Sequence, residues 1–407
     1  MMNLYKIPKL YFYRFLLVWF PPIYTRLFKL SAEGLENVPG KGPFLIIGNH
    51  SHRLDPFFIG ALVRRPIFQI ASNEYFRIPF MRRFMWAMGA IPIERYSPVD
   101  IRAIRHAIRL VKKKGYPLAI YPEGGRNWDG KTLPILKSTA NMVKHLGVPV
   151  VAVVSKGNYI AWPRWANKRR KCPITIHFAK PVIFDQNTPF KEIIDWMQKA
   201  IDHNDNYTNI EWMRGKRPAE GLTRLLWCCP KCRTLEGLVE KGGDTLVCSQ
   251  CGKQWEVDLY CMMREAGSDP WKPIKEYADL MFREEETIPV EHDFSDHLED
   301  GEQVYLQSED ITLYDEPEYP KLRKIGDGEL LLTNKGLVFI KKSDERSFRY
   351  SFEKIRGWSV EKNFIFQIGM KDKEICRFEM HRESCLKWEL YFEYVRKLIT
   401  FNSDIIR

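Results

Sequence analysis

Asn49-His50-Ser51-His52-Arg53-Leu54-Asp55-Pro56 lies between two apolar runs, Phe44-Leu45-Ile46-Ile47 and Pro56-Phe57-Phe58-Ile59-Gly60-Ala61-Leu62-Val63. The first run has the length of a buried strand. The second begins like a helix, because Asp55 can accept from the first free amides and Pro56 suits the first helical position. His50 is therefore expected at a strand end and Asp55 at a helix start. A carboxylate that holds one imidazole nitrogen leaves the other as a base. Taken alone, the same eight residues also describe a capping aspartate beside a loop histidine that does no chemistry.

The chain on either side repeats this alternation. Residues 66–71 predict a second strand, 74–88 an amphipathic helix, 89–95 a strand ending on Arg95, and 98–114 a basic helix. Pro117-Leu118-Ala119-Ile120-Tyr121 predicts a buried strand that opens into Pro122-Glu123-Gly124-Gly125-Arg126. A helix over 133–146 and a strand over 148–154 follow. Strands alternating with helices predict an α/β domain with a mostly parallel sheet. Ligands of such sheets collect where strands end. Three polar stations fall at such ends: His50 with Asp55, Arg95, and Glu123-Gly124-Gly125-Arg126. Glycines let a backbone approach a ligand, and their amides can hold an anion or a developing oxyanion. Arg95 and Arg126 are natural phosphate partners.

These blocks carry a resemblance. Asn49-His50…Asp55-Pro56, Gly89…Ile93-Glu94-Arg95, Tyr121-Pro122-Glu123-Gly124-Gly125-Arg126 and Val148-Pro149-Val150-Val151 stand in the order seen in the glycerolipid acyltransferases. Within that family the chain resembles the lysophosphatidic acid (1-acyl-sn-glycerol-3-phosphate) acyltransferases. The resemblance covers roughly residues 10–215. It implies that His50 deprotonates an acceptor hydroxyl, that Asp55 fixes its tautomer, and that the alkoxide attacks an acyl thioester. The donor would be acyl-CoA or acyl-ACP, the acyl carrier protein thioester, as co-substrate. The acceptor would be a lysophospholipid, 1-acyl-sn-glycerol-3-phosphate first, giving phosphatidic acid. Glu123 joins the catalytic group by shaping the site rather than as the base. Arg95, Gly124, Gly125 and Arg126 would bind substrate, with the Gly124 amide and its neighbours on the oxyanion. Two positions depart from the pattern. Gly125 stands where Thr is usual, and Ser72 lies near the place of a usual Lys, so that Arg77, Arg82 or Arg83 would have to replace it.

Charge is unevenly spread over the 407 residues. Through residue 227 there are 36 Lys and Arg against 15 Asp and Glu; after it, 27 against 36. A basic front half predicts an anionic partner. No secretory leader and no run of apolar residues long enough to span a bilayer are evident. Residues 11–20 and 23–28, aromatic with scattered Arg, are expected to be broken by Pro21-Pro22 and to lie in a membrane interface, with a helix docked on the protein's own core as the alternative. The expected location is the cytoplasmic side of the membrane, peripheral or monotopic.

Beyond Pro218 the character changes. Cys229-Pro230-Lys231-Cys232 and Cys248-Ser249-Gln250-Cys251 are two Cys-x2-Cys knuckles spaced as in a zinc ribbon, where four thiolates hold a structural zinc. Cys228 is a spare neighbour. The later strand-like runs and the amphipathic stretch 383–401 resemble a pleckstrin-homology (PH) or GRAM-like module, whose partner the sequence does not indicate. The expected organisation is an interfacial segment (1–30), an acyltransferase domain (31–225), a zinc ribbon (226–260), a linker (261–300) and a β-rich PH/GRAM-like domain with one C-terminal helix (301–407). The expected function is membrane-surface acyl transfer with no nucleic acid involved. The alternative is a non-enzymatic lipid- or nucleic-acid-binding protein, to which the His50/Asp55 pair would be of no use.

Overall fold

The computed structural model describes residues 5, 7, 8, 10–95, 100–372 and 374–405. The start of the expected interfacial segment (1–4, 6 and 9) and of the helix read from 98 therefore lies partly outside the described residues.

The front domain runs α1 (Tyr11–Phe28), β1 (Leu30–Glu33), β2 (Leu45–Gly48), α2 (Asp55–Val63), β3 (Phe68–Ser72), α3 (Pro79–Ala87), β4 (Ala90–Ile93), α4 (Ile101–Lys114), β5 (Leu118–Ile120), α5 (Lys137–Leu146), β6 (Val150–Lys156), α6 (Asn158–Ala161), β7 (Ile174–Phe178) and α7 (Phe190–Ile201). Its seven-stranded sheet has the order β1-β7-β6-β2-β5-β3-β4. The strands pair in parallel except where β7 meets β6 antiparallel, so the sheet is mixed. Central β2 is buried at every residue, as its unbroken apolar run requires. Helix α4 begins where the Asp100 carboxylate accepts from the amides of Arg102 and Ala103, both at 3.1 Å. It ends at Gly115, whose φ of +68° suits glycine, with Lys112, Lys113 and Lys114 against the negative end of the dipole.

The expected break at Pro21-Pro22 does not occur. Helix α1 passes through both prolines, which remove two ladder donors. Burial holds it together: Tyr13, Leu16 and Leu17 are sunk into the core, and Tyr13 Oη donates to the Ile67 carbonyl at 3.0 Å. The opposite side leaves Val18 and Trp19 68% and 63% exposed. None of the described helices is long and apolar enough to cross a membrane.

A second sheet follows, β8 (Leu238–Lys241), β9 (Thr245–Cys248), β10 (Gln254–Val257), β11 (Met262–Glu265) and β12 (Lys272–Pro273), with α8 at Ile274–Ala278. Its five strands run in sequence order, all antiparallel. The stretch 261–300, expected to be a linker, therefore supplies two strands and a helix at its start. Met263 and Ile274 are buried there, anchors too few to show as periodicity.

The C-terminal region is β-rich: β13 (Val304–Glu318), β14 (Lys321–Thr333), β15 (Gly336–Lys341), β16 (Ser347–Ser351), β17 (Ile355–Glu361), β18 (Ile365–Met370) and β19 (Ile375–Glu379), with one helix, α9 (Cys385–Ile405). The antiparallel order is β16-β15-β14-β13-β19-β18-β17. Trp388, Phe392 and Val395 of α9 are buried in a core shared with this sheet.

Candidate active site

At the end of β2, the Asn49 side chain bonds Ser155 of neighbouring β6 in both directions: its Nδ2 donates to the Ser155 carbonyl (3.1 Å) and its Oδ1 accepts from the Ser155 amide (2.8 Å). The next residue, His50, is gripped through its backbone. Its amide donates to Glu123 Oε1 (2.5 Å), and its carbonyl accepts from the Asn127 amide (3.1 Å). Glu123 Oε2 accepts from the Leu133 amide at 2.7 Å. This buried carboxylate thus ties the His50 loop, through Oε1, to the segment around Leu133, through Oε2, while burial pushes its pKa up to about 8.

The His50 ring stacks on Tyr121, with centroids 4.2 Å apart and planes 25° from parallel. Its Nδ1 lies 2.8 Å from Asp55 Oδ2. The same oxygen accepts from the amides of Ser51 (3.1 Å) and His52 (3.0 Å), and Oδ1 accepts from Asn158 Nδ2 (2.9 Å). Asp55 therefore turns back onto the loop before its helix instead of capping the helix amides. A carboxylate that already accepts from these three donors has only acceptors to offer, so His50 Nδ1 carries the proton and Nε2 keeps its lone pair. Burial outweighs the pull of Asp55 and lowers the His50 pKa, which keeps the ring neutral at pH 7.

The expected substrate-binding residues divide. Gly124, at φ +71°, gives its amide to the Tyr121 carbonyl (3.0 Å), so the turn uses the donor expected for an oxyanion. The amides of Gly125 and Arg126 make no hydrogen bond among the described residues. A β-carbon on Gly125 would stand 2.8 Å from Arg95 Nη2, so the absent threonine leaves room for this guanidinium. The other terminal nitrogen, Nη1, donates to the Val360 carbonyl (3.2 Å) and Glu361 Oε1 (3.3 Å) of the C-terminal region. The Arg126 side chain makes no salt bridge among the described residues, and burial lowers its pKa. Arg77 is committed elsewhere, to Glu74 (2.5 Å) and Glu316 (2.8 Å). Arg82 holds the Phe76 carbonyl at 2.7 Å. Arg83 is exposed, and Ser72 accepts from the Glu74 amide at 3.3 Å. Arg77 and Arg82 are thus spent on the fold, and Arg95 and Arg126 remain as the cations beside the dyad.

Asn158, Tyr121 as a ring platform and Arg164 escaped the sequence reading. Asn158 follows β6, another strand end, and that position was its only signal. Arg164 binds the Arg126 carbonyl through Nη1 at 2.8 Å.

Known proteins share sequence with the front domain. Residues 29–156, the larger part of the front domain, match the family model described as Acyltransferase. Among relatives, the 1-acyl-sn-glycerol-3-phosphate acyltransferase of Limnanthes alba is 26% identical over 182 residues, 44% of this chain and 60% of its own length. That of Cocos nucifera is 29% identical over 160 residues, 39% of this chain and 49% of its own. The chain thus spans about 60% of the length of the first of these relatives. The crystal structure of the 1-acyl-sn-glycerophosphate acyltransferase PlsC of Thermotoga maritima is similar at a TM-score of 0.41 and 24% identity, covering 46% of this chain and 77% of that one.

Away from the dyad, the sulfurs of Cys229, Cys232, Cys248 and Cys251 all lie within 4.8 Å of one another. Cys229 and Cys251 are 3.7 Å apart and Cys232 and Cys248 3.6 Å, and no disulfide forms. A tetrahedron with Zn–S bonds of about 2.3 Å has edges of about 3.8 Å, so the four thiols fit a zinc ion. The amides of Lys231 and Cys232 point at Cys229 Sγ (3.3 and 3.4 Å), as suits a thiolate. Cys228 faces away, buried against Met281.

Proposed function

We propose that the protein transfers an acyl group from an acyl thioester, acyl-CoA or acyl-ACP, to the free hydroxyl of 1-acyl-sn-glycerol-3-phosphate at a membrane surface. The observation that carries the reading is the His50–Asp55 pair: a neutral imidazole, oriented by a buried carboxylate, beside Arg95 and Arg126. His50 Nε2 takes the hydroxyl proton as the acceptor oxygen bonds to the thioester carbon. The carbonyl electrons move to oxygen, where the Gly125 and Arg126 amides are the available donors. Collapse breaks the carbon–sulfur bond, and His50 returns its proton to the departing sulfur. No acyl-enzyme forms. Asp55 acts by stabilising the imidazolium. Arg95 and Arg126 take the phosphate, and Glu123 holds the loop. An apolar groove lined by Leu16, Leu17, Phe57 and Met88 starts one residue from Asp55, at Pro56, and suits an acyl chain.

The test is turnover with lysophosphatidate and, in parallel, monoacylglycerol, read by mass spectrometry with acyl-CoA and acyl-ACP. Charge-assisted contacts contribute roughly 1.5–3 kcal/mol, so Arg126→Ala should raise the KM for lysophosphatidate about ten- to a hundredfold and spare monoacylglycerol. Equal wild-type rates on both acceptors would remove the phosphate clamp.

Attachment to the membrane rests on the exposed face of α1, where Phe15, Val18, Trp19 and Ile23 stand together with Arg14 and Arg26 nearby. Replacing Phe15 and Trp19 with Asp should cut partition onto anionic vesicles by about tenfold or more, since each loses an apolar ring from the interface. The melting temperature should not move, because both side chains face solvent. Unchanged sedimentation with vesicles would reject α1 as the anchor.

We also propose that Cys229, Cys232, Cys248 and Cys251 hold one structural zinc and that the C-terminal region is a PH/GRAM-like module. Supporting the latter is its strand order with a single closing helix.

A further inference from the structure

Besides the shared apolar core, two groups of polar contacts that join the C-terminal domain to the front domain bear on the site. At the first, Arg77 forks onto Glu316 with bonds of 2.8 and 3.0 Å, and Arg377 reaches Glu74 at 2.8 Å. At the second, the end of β17 reaches the candidate active site. Arg164 donates there to the Val360 carbonyl (2.9 Å) and the Lys362 carbonyl (3.1 Å), while its remaining nitrogen holds the Arg126 carbonyl (2.8 Å). Arg95 meets Val360 and Glu361 at the same strand end.

Glu361 could stand in this place as a plug that takes the phosphate's seat, or as an anchor. The geometry separates the two. A carboxylate standing in for phosphate would engage both edges of the fork, as Glu316 does on Arg77. Glu361 touches one nitrogen, at 3.3 Å, and shares it with a carbonyl. The other terminal nitrogen of Arg95 faces Gly125. Arg95 and Arg126 both act on the Arg164 guanidinium, and Glu361 and Glu389 oppose them.

We infer that Glu361 is a positioning residue of the acceptor site: with the Val360 carbonyl it holds Arg95 by one edge and leaves the other for the acceptor's phosphate. Arg164 ties the Arg126 backbone to the same strand end. The C-terminal domain is then a wall of the acceptor site rather than a separate tether. This inference rests on the reading of Arg95 and Arg126 as the phosphate clamp.

The test is Glu361→Ala in the full chain. The KM for lysophosphatidate should rise about tenfold, while kcat and the thioester KM stay within about twofold. Glu361→Gln, which keeps an accepting oxygen, should recover most of the loss. It also carries the test if the alanine variant folds poorly. In an Arg95→Ala background, Glu361→Ala should add less than about twofold, because the two act as one unit. A fall in KM would make Glu361 a competitor of the acceptor and overturn the inference. So would an equal rise for monoacylglycerol, or effects that multiply. The same comparison is made without turnover by titrating glycerol 3-phosphate into His50→Ala protein with phosphorus NMR. Failure of wild-type protein to acylate any acceptor sinks the proposed function; an affinity for glycerol 3-phosphate that Glu361→Ala leaves unchanged sinks this inference.

Discussion

Replacing His50 with alanine lowers turnover by about 10²–10⁴-fold, the usual cost of losing a general base. The fold should survive, because its two bonds to Glu123 and Asn127 are made by the His50 backbone and not by the ring. The pH profile gives a second readout. His50 works in its neutral form, and burial lowers its pKa below the ordinary value of 6.5. The rate should therefore stay level as pH falls past about 6.5 and drop only further down, as the ring takes a proton through its lowered pKa. Asp55→Asn should shift this limb and cost most of the rate, since a neutral amide cannot stabilise the imidazolium that forms. Near-wild-type turnover in His50→Ala would end the mechanism.

The second large effect is expected from the four thiols. Freshly reduced protein should contain one zinc per chain, and Cys229→Ser or Cys248→Ser should lower that content and the melting temperature together. Structural zinc binds zinc-finger peptides with an apparent 10–16 kcal/mol, and loss of one ligand withdraws part of that from the ribbon. The loosening should reach beyond the ribbon, because Cys229, Leu246, Cys248 and Trp255 belong to the same hydrophobic cluster as Trp388 of α9. Metal analysis that finds no zinc in reduced, unchelated protein would defeat this assignment.

Local chemistry explains what was legible in the sequence. The run Leu45–Ile47, the Asp55-Pro56 helix start and the alternation through Val154 are short-range patterns, and they located His50 and Asp55 at element ends. The supporting residues are non-local. Asn158 is 103 positions from Asp55, and Glu361 is 266 from Arg95. Strand β17, which carries Glu361, gives no clear strand signal, because Arg356-Gly357-Trp358-Ser359 does not alternate cleanly between apolar and polar. Pro21-Pro22 misled for the opposite reason. A strong local breaker was overruled by burial of Tyr13, Leu16 and Leu17. The charge asymmetry predicts an outside anion. Part of it is met within the chain, by Glu316 on Arg77 and Glu361 on Arg95.

The cluster that joins the lobes bears on how this protein can be cut. Trp128, Tyr159 and Trp165 of the front domain share one core with Trp227, Trp255 and Trp388. A fragment ending near residue 225, chosen as a minimal enzyme, would bare this aromatic seam to water. It would also leave the Arg164 guanidinium, buried in the intact chain, without the Val360 and Lys362 carbonyls. Such a fragment should self-associate through the seam. The three lobes are therefore exchangeable among related proteins only as a set, with the seam passed on whole.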